Sequence, residues 1–238
     1  MMKAASHIIM LGDIPVEVTR KKMKTLRLGV YPPDGRVRMS VPLKVSDETV
    51  RRVATERLAW IERQREKFAA VPPPAAVNFV DGEVHAFLGK PCRLLVRERN
   101  RAARVDACCE PAITITVRPG STREQREAAL LDWYRDRLSE LIPPLIDRWR
   151  AVMNVSVDEW RIRRMKTRWG SCNIAARRVW FSLELARKPE PCLEYIVVHE
   201  LTHLLERGHG ARFKALMDGF LPDWRERRKL LNAAVNAG

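Results

Sequence analysis

The chain has 238 residues, 46% of them apolar, enough for one large domain or two small ones with a real core. Its formal charge of +15 favours anionic partners such as nucleic acid, nucleotides or acidic peptides, and it also keeps a protein soluble with no partner at all. No apolar run approaches the ~20 residues of a membrane span, the first residues lack a signal-peptide core, and the five cysteines include no C-x-x-C pair. A membrane protein, a disulfide scaffold and a cysteine-built zinc site are excluded, and a cytoplasmic location is expected. The charge is uneven: residues 1–70 carry 15 bases against 8 acids and residues 155–178 carry 7 against 2, while the segments between them nearly balance.

In chain order, residues 16–19, 26–30 and 37–41 alternate apolar and polar around the turn chemistry of Pro32-Pro33-Asp34-Gly35, which predicts a β-hairpin. After Ser46 or Asp47 as a cap, Val50, Val53, Leu58, Ile61 and Phe68 predict one amphipathic helix over residues 47–69. Pro72-Pro73-Pro74 interrupts, and residues 84–88, 92–96, 105–108 and 113–117 read as short strands. Ser121 with Glu124 makes a capping-box pattern that opens a long helix through Leu130, Trp133, Leu138 and Ile142. A break is expected at Pro143-Pro144, with the helix resuming to about Val152. Residues 160–165 and 179–185 predict two strands separated by a loop at Trp169-Gly170-Ser171-Cys172-Asn173. A helix beginning near Pro191 runs to about Arg207, with Gly208 as its cap, and one or two helices over residues 211–235 are interrupted at Pro222. No internal repeat is evident. The expected class is α+β: a β-rich N-terminal subdomain with one helix over residues 1–120, then a helical half with a small sheet over residues 121–238.

Within the helix after Pro191 stands His199-Glu200-Leu201-Thr202-His203, the H-E-x-x-H pattern. Residues i and i+4 lie about 40° apart around a helix and ~6 Å apart along it, so both imidazoles can reach one ion. With 5 histidines in the chain, chance produces about 0.01 such matches. A catalytic zinc takes three protein ligands and keeps a position open, so a third is needed. His209 is the leading candidate; it requires the chain to turn back, with Gly208 and Gly210 on either side to allow it. Glu206 is the rival on the helix, and Asp218, Asp223 and Glu226 are more distant alternatives. Glu200, beside a ligand without being one, suits a base that takes a proton from metal-activated water. Ser171 and Cys172 lack the G-x-S-x-G context of a nucleophile, and His7 and His85 are isolated.

These residues resemble the YgjP-like metallopeptidase-domain family, related to the SprT and WLM zinc proteases. The resemblance covers nearly the whole chain and is carried by Pro33-Asp34-Gly35-Arg36-Val37-Arg38 with its following helix, Lys166-Thr167-Arg168-Trp169-Gly170-Ser171-Cys172, and Tyr195-Ile196-Val197-Val198 leading into the His199 motif, then His209-Gly210 and Phe213. It implies a zincin-like C-terminal half, zinc ligands at His199, His203 and His209, Glu200 as catalytic base, and a strand at residues 179–185 that pairs with an extended substrate.

The first functional reading is a zinc metallopeptidase. The alternative is a metal-dependent hydrolase of nucleotide phosphoanhydrides, a nucleoside triphosphate pyrophosphatase, supported by five bases in residues 161–168. The same segment suits a protease brought to nucleic acid. Arg164, Lys166 and Arg168, at alternate positions on an expected strand, and Trp169 beside them, are the candidate substrate residues. A non-enzymatic zinc module is disfavoured, because structural sites are closed by four ligands and no fourth is evident.

Overall fold

Alternation at Val16 and Val18, and again at Val37, Met39 and Val41, gives two neighbouring strands one apolar face each, and a sheet forms around them. The computed structural model describes residues 6–31, 34–70, 77–109, 111–165 and 167–233, and the chain divides into two units, residues 1–76 and 77–238. In the first unit the strands are β1 (Ser6–Leu11), β2 (Ile14–Lys21), β3 (Arg27–Tyr31) and β4 (Arg36–Pro42), in the order β1-β2-β4-β3. The outer pairs are antiparallel and the central pair β2/β4 is parallel. Two helices, α1 (Asp47–Glu56) and α2 (Leu58–Ala69), replace the single helix expected over residues 47–69. The break falls at Arg57, and it lets α1 reach β1 while α2 reaches β3, the two edges of the sheet. Val50, Ala54 and Ile61 close the core against the sheet. The expected Pro72-Pro73-Pro74 break and the Pro32-Pro33 half of the turn lie outside the described residues.

The second unit opens with β5 (Val84–Phe87), β6 (Lys90–Glu98), β7 (Arg104–Cys109) and β8 (Ala112–Val117), close to the four expected strands. Their order, β5-β6-β8-β7, repeats that of the first sheet, with antiparallel outer pairs and a parallel centre. Each sheet is followed by a capped helix, so a ββββα arrangement occurs twice. Its sequence trace is faint, little more than a shared Leu-Gly in one hairpin turn of each sheet, Leu11-Gly12 and Leu88-Gly89.

The helix after the second sheet, α3 (Arg123–Met153), is capped one residue later than expected: Thr122 Oγ1 accepts from the Gln125 N–H at 3.3 Å, and Gln125 Oε1 accepts from the Thr122 N–H at 3.0 Å. It runs through Pro143 and Pro144 without the expected break. The carbonyls to which Pro143 and Pro144 cannot donate belong to exposed Ser139 and Glu140, while Leu138, Ile142 and Ile146 anchor the buried face. Leu130, Tyr134, Leu138 and Ile142 share a core with Leu94, Ile113 and Ile115 of the sheet. Tyr134 Oη donates to the Ala86 carbonyl at 2.7 Å. The boundary expected after residue 120 therefore falls inside the second unit, because the second sheet buries its apolar face on α3.

Beyond α3 come β9 (Glu159–Arg163), β10 (Gly170–Asn173), β11 (Arg178–Ser182), a 3₁₀ turn (Leu183–Arg187), α4 (Glu190–Thr202), α5 (Ala211–Phe220) and α6 (Trp224–Asn232). The sheet order is β10-β11-β9, so the expected loop at Gly170–Asn173 is a strand. Its Gly, Ser and Asn have little β-propensity, and pairing with β11 overrides them. Glu194 ties α3, α4 and α6 together by accepting from Trp149 Nε1 at 3.0 Å and from Arg148 and Arg227. The whole is α+β, and no helix among the described residues is long and apolar enough to cross a membrane.

The two hairpin glycines make a test of how the repeats differ. Both have positive φ, +57° at Gly12 and +80° at Gly89; a Cβ on Gly12 meets nothing within 4 Å, whereas one on Gly89 would stand 2.6 Å from Pro189 Cγ. Gly12→Ala should cost ~1–2 kcal/mol, the left-handed penalty alone. Gly89→Ala should exceed it in urea unfolding of the full chain, and equal costs would refute the Pro189 contact.

Candidate metal centre

Helix α4 is buried almost all round, with Leu193, Ile196, Val197, Val198 and Leu201 in the core, as expected for a helix enclosed by its neighbours. It contacts α3, α5, α6 and β10. His199 and His203, one turn apart, present their rings to a common space with centroids 5.0 Å apart and nearly perpendicular planes. His209 joins them: its Nε2 lies 3.1 Å from His199 Nε2, its ring is 4.6 Å from that of His203, and one nitrogen from each of the three falls within 4.8 Å of the others. Phe213 of α5 forms an apolar floor in contact with all three rings.

The return of His209 depends on α4 ending at Thr202 and not near Arg207 as expected. His203 Nδ1 donates to the Glu206 carbonyl at 3.1 Å, which fixes the turn and leaves Nε2 to face the cluster. Neither Gly208 nor Gly210 adopts positive φ, so the reversal uses early helix termination and a run of bends. The rival carboxylates are engaged elsewhere. Glu206 Oε1 accepts from the Gly208 N–H at 3.2 Å, Asp218 accepts from Trp224 Nε1 and Arg225, and Asp223 pairs with Arg227.

Burial sets the protonation states. It pushes His199 down to about 3, helped by His203, His209 and Arg228, and it lowers His203 as well. Both rings are therefore neutral donors over the physiological range. His199 Nδ1 is buried and has no hydrogen-bond partner among the described residues, while its Nε2 faces His209. Converging imidazole nitrogens suit a divalent cation, and the three residues fit one. Glu200 is 5% exposed, and burial pushes its carboxyl up to about 8, with Arg168 opposing the rise. An added positive charge nearby would favour its ionised form.

Glu200 lies against β10. A Cβ on Gly170 would stand 2.4 Å from Glu200 Oε1 and 2.6 Å from Cγ, so only glycine admits the carboxyl there. Sequence reasoning did not single out this glycine; its position in a low-propensity strand was the signal. Cys172, two residues on, is half-buried, and burial together with Glu200 pushes its thiol up to about 11, an unreactive state. Tyr195 stacks on Trp224 with centroids 6.4 Å apart and meets the His199 ring edge-on at 5.7 Å.

A cleft of about 1300 Å³ opens over the histidines, bounded by β10, α4, α5 and α6. Arg168 and Trp169 line it. Arg164 does not; β9 ends at Arg163, so the expected alternation is lost, and Arg164 pairs with Glu127 at 2.9 Å. Lys166 lies outside the described residues. The strand expected to pair with substrate, β11, is central, with β9 and β10 on its two sides, so the edge facing the cleft is β10. His85 is buried beside Glu83 and stacked on Phe79, and His7 of the first unit pairs with Asp47.

The solved structures similar to this chain include the metallopeptidase zymogen abylysin of Pyrococcus abyssi, at 18% identity over 37% of this chain and 89% of that one, with a TM-score of 0.35. Another is the metallopeptidase zymogen jannalysin of Methanocaldococcus jannaschii, at 18% identity over 38% and 92%, with a TM-score of 0.34. No curated protein matches the sequence. The family described as YgjP-like, metallopeptidase domain, matches residues 24–234, a span that includes the histidine cluster, Glu200 and β10, and the chain therefore belongs to that family of metal-dependent, protease-type hydrolases.

Proposed function

We propose that the chain is a zinc peptidase in which His199, His203 and His209 hold the metal and Glu200 is the general base. The observation that carries this reading is the convergence of three imidazoles beside a buried carboxyl. A zinc ion held by the three imidazoles would supply Lewis-acid chemistry to a water and to a scissile carbonyl. Glu200 takes the proton from the attacking water and returns it to the leaving amine as the peptide bond breaks, so the base is regenerated in each cycle. His203 is held in orientation by the Glu206 carbonyl, and Phe213 keeps water from beneath the rings. The free edge of β10 supplies main-chain groups to an extended peptide. Family membership supports a peptide substrate over the nucleotide alternative.

The purified chain should carry about one equivalent of zinc, and His209→Ala should lose it. Metal analysis decides this: below about a tenth of an equivalent after reconstitution, the zinc reading fails. Glu200→Gln should keep metal and circular dichroism but lose at least ~10²-fold in turnover, the lower range for removal of a positioned base. Loss of metal in that variant would instead make Glu200 part of the metal's support. Gly170→Ala should retain zinc and lower kcat by ~10–100-fold through displacement of the carboxyl, since errors near 1 Å are costly. Unchanged kcat would show that the Gly170 contact is not needed.

A further inference from the structure

Five basic side chains line the cleft, and Glu200 is the only carboxylate among its described lining residues. Arg168 and Arg178 come from the sheet side, at β10 and β11, while Arg207, Lys214 and Arg228 come from the turn after α4, from α5 and from α6. Helix α4 contacts β10, α5 and α6, so the cations flank the histidines from both sides. Arg178 is partnered by Glu159 at 3.4 Å. The other four form no ion pair with a carboxylate among the described residues, although Arg168 acts electrostatically on Glu200. Elsewhere in this unit exposed arginines find acids, as in Arg137 with Glu140, Arg150 with Asp147 and Arg177 with Asp158. Unpaired like charges gathered in a concavity repel one another and attract an anion.

The aromatic groups decide which anion. Recognition of a nucleobase uses an open aromatic face. Each tryptophan of the cleft already carries a cation: Lys188 Nζ lies 5.3 Å from the Trp169 ring, the Arg163 guanidinium 3.5 Å from Trp180, and that of Arg225 4.5 Å from Trp224. The edge of β10, in contrast, offers main-chain hydrogen bonds to an extended polypeptide, whose alternate side chains point to opposite faces.

We propose that the cleft selects acidic peptides, with carboxylates on the two sides of the scissile bond met by Arg168 towards the sheet and by Arg207, Lys214 and Arg228 towards the helices. This rests on the peptidase reading above and names its substrate class.

The test separates binding from catalysis. Zinc-loaded Glu200→Gln chain is titrated, by fluorescence anisotropy, into labelled peptides of about 12 residues that alternate alanine with glutamate or alanine with glutamine. The glutamate peptide should bind at least about tenfold more tightly, and the difference should shrink as salt rises from ~50 to ~500 mM. The exposed pair Lys214→Gln and Arg228→Gln, introduced together, should narrow the difference between the two peptides. Equal affinities, or an oligodeoxythymidine of similar length that displaces the glutamate peptide more effectively than its own unlabelled form, would overturn the proposal. The wild-type chain is then assayed for cleavage of both peptides. Cleavage without acidic preference sinks the selectivity alone; acidic preference in binding without cleavage of either peptide supports the selectivity and sinks the peptidase reading.

Discussion

The contact between the Glu200 carboxyl and the backbone of Gly170 is the constraint around which the rest of the centre is arranged. A carboxyl one residue from a cleft-facing histidine must lie near the same opening, yet here it is almost wholly enclosed. That enclosure is possible only because the strand beside it lacks a side chain at the point of approach. The strand is held in turn by β11, whose Val179 and Phe181 are buried in the core shared with α3 and α4. Position of the carboxyl, position of the edge strand and packing of the core are thus one structural fact seen at three scales.

Burial acts on acid and bases together. It holds His199 and His203 towards their unprotonated forms, and it makes ionisation of Glu200 dependent on positive charge in its surroundings. Affinity for a dication and the activity of the base are therefore coupled through the same low-dielectric environment. The Phe213 floor and the half-buried Cys172 contribute to that environment without taking part in proton transfer.

Much of this was legible in the sequence because the H-E-x-x-H spacing is a property of one helix, and local periodicity reports helices well. The strands of residues 84–117 were legible for the same reason, being alternating and bounded by turns. What escaped depended on tertiary context. The Gly170–Asn173 strand has turn-like composition and exists because β11 pairs with it; α3 crosses two prolines because buried residues on either side hold it; α4 stops early because a side chain captures a carbonyl farther along. Arg164 lies past the end of β9 at Arg163, so strand alternation does not govern it. The division expected at residue 120 follows a change of secondary structure, and residues on both sides of it share one core.

The doubled ββββα arrangement has a consequence for biosynthesis. The first unit completes its sheet and both helices by Ala69, with its own closed core, so every contact it needs is present once that residue has left the ribosome. The histidine cluster has the opposite character: it needs β10, α4 and α5 at once, and all three are made after the first unit. Synthesis from the N-terminus thus delivers the first module before the metal site and postpones metal capture until α5 has been made, when α5 and the edge strand flank the imidazoles.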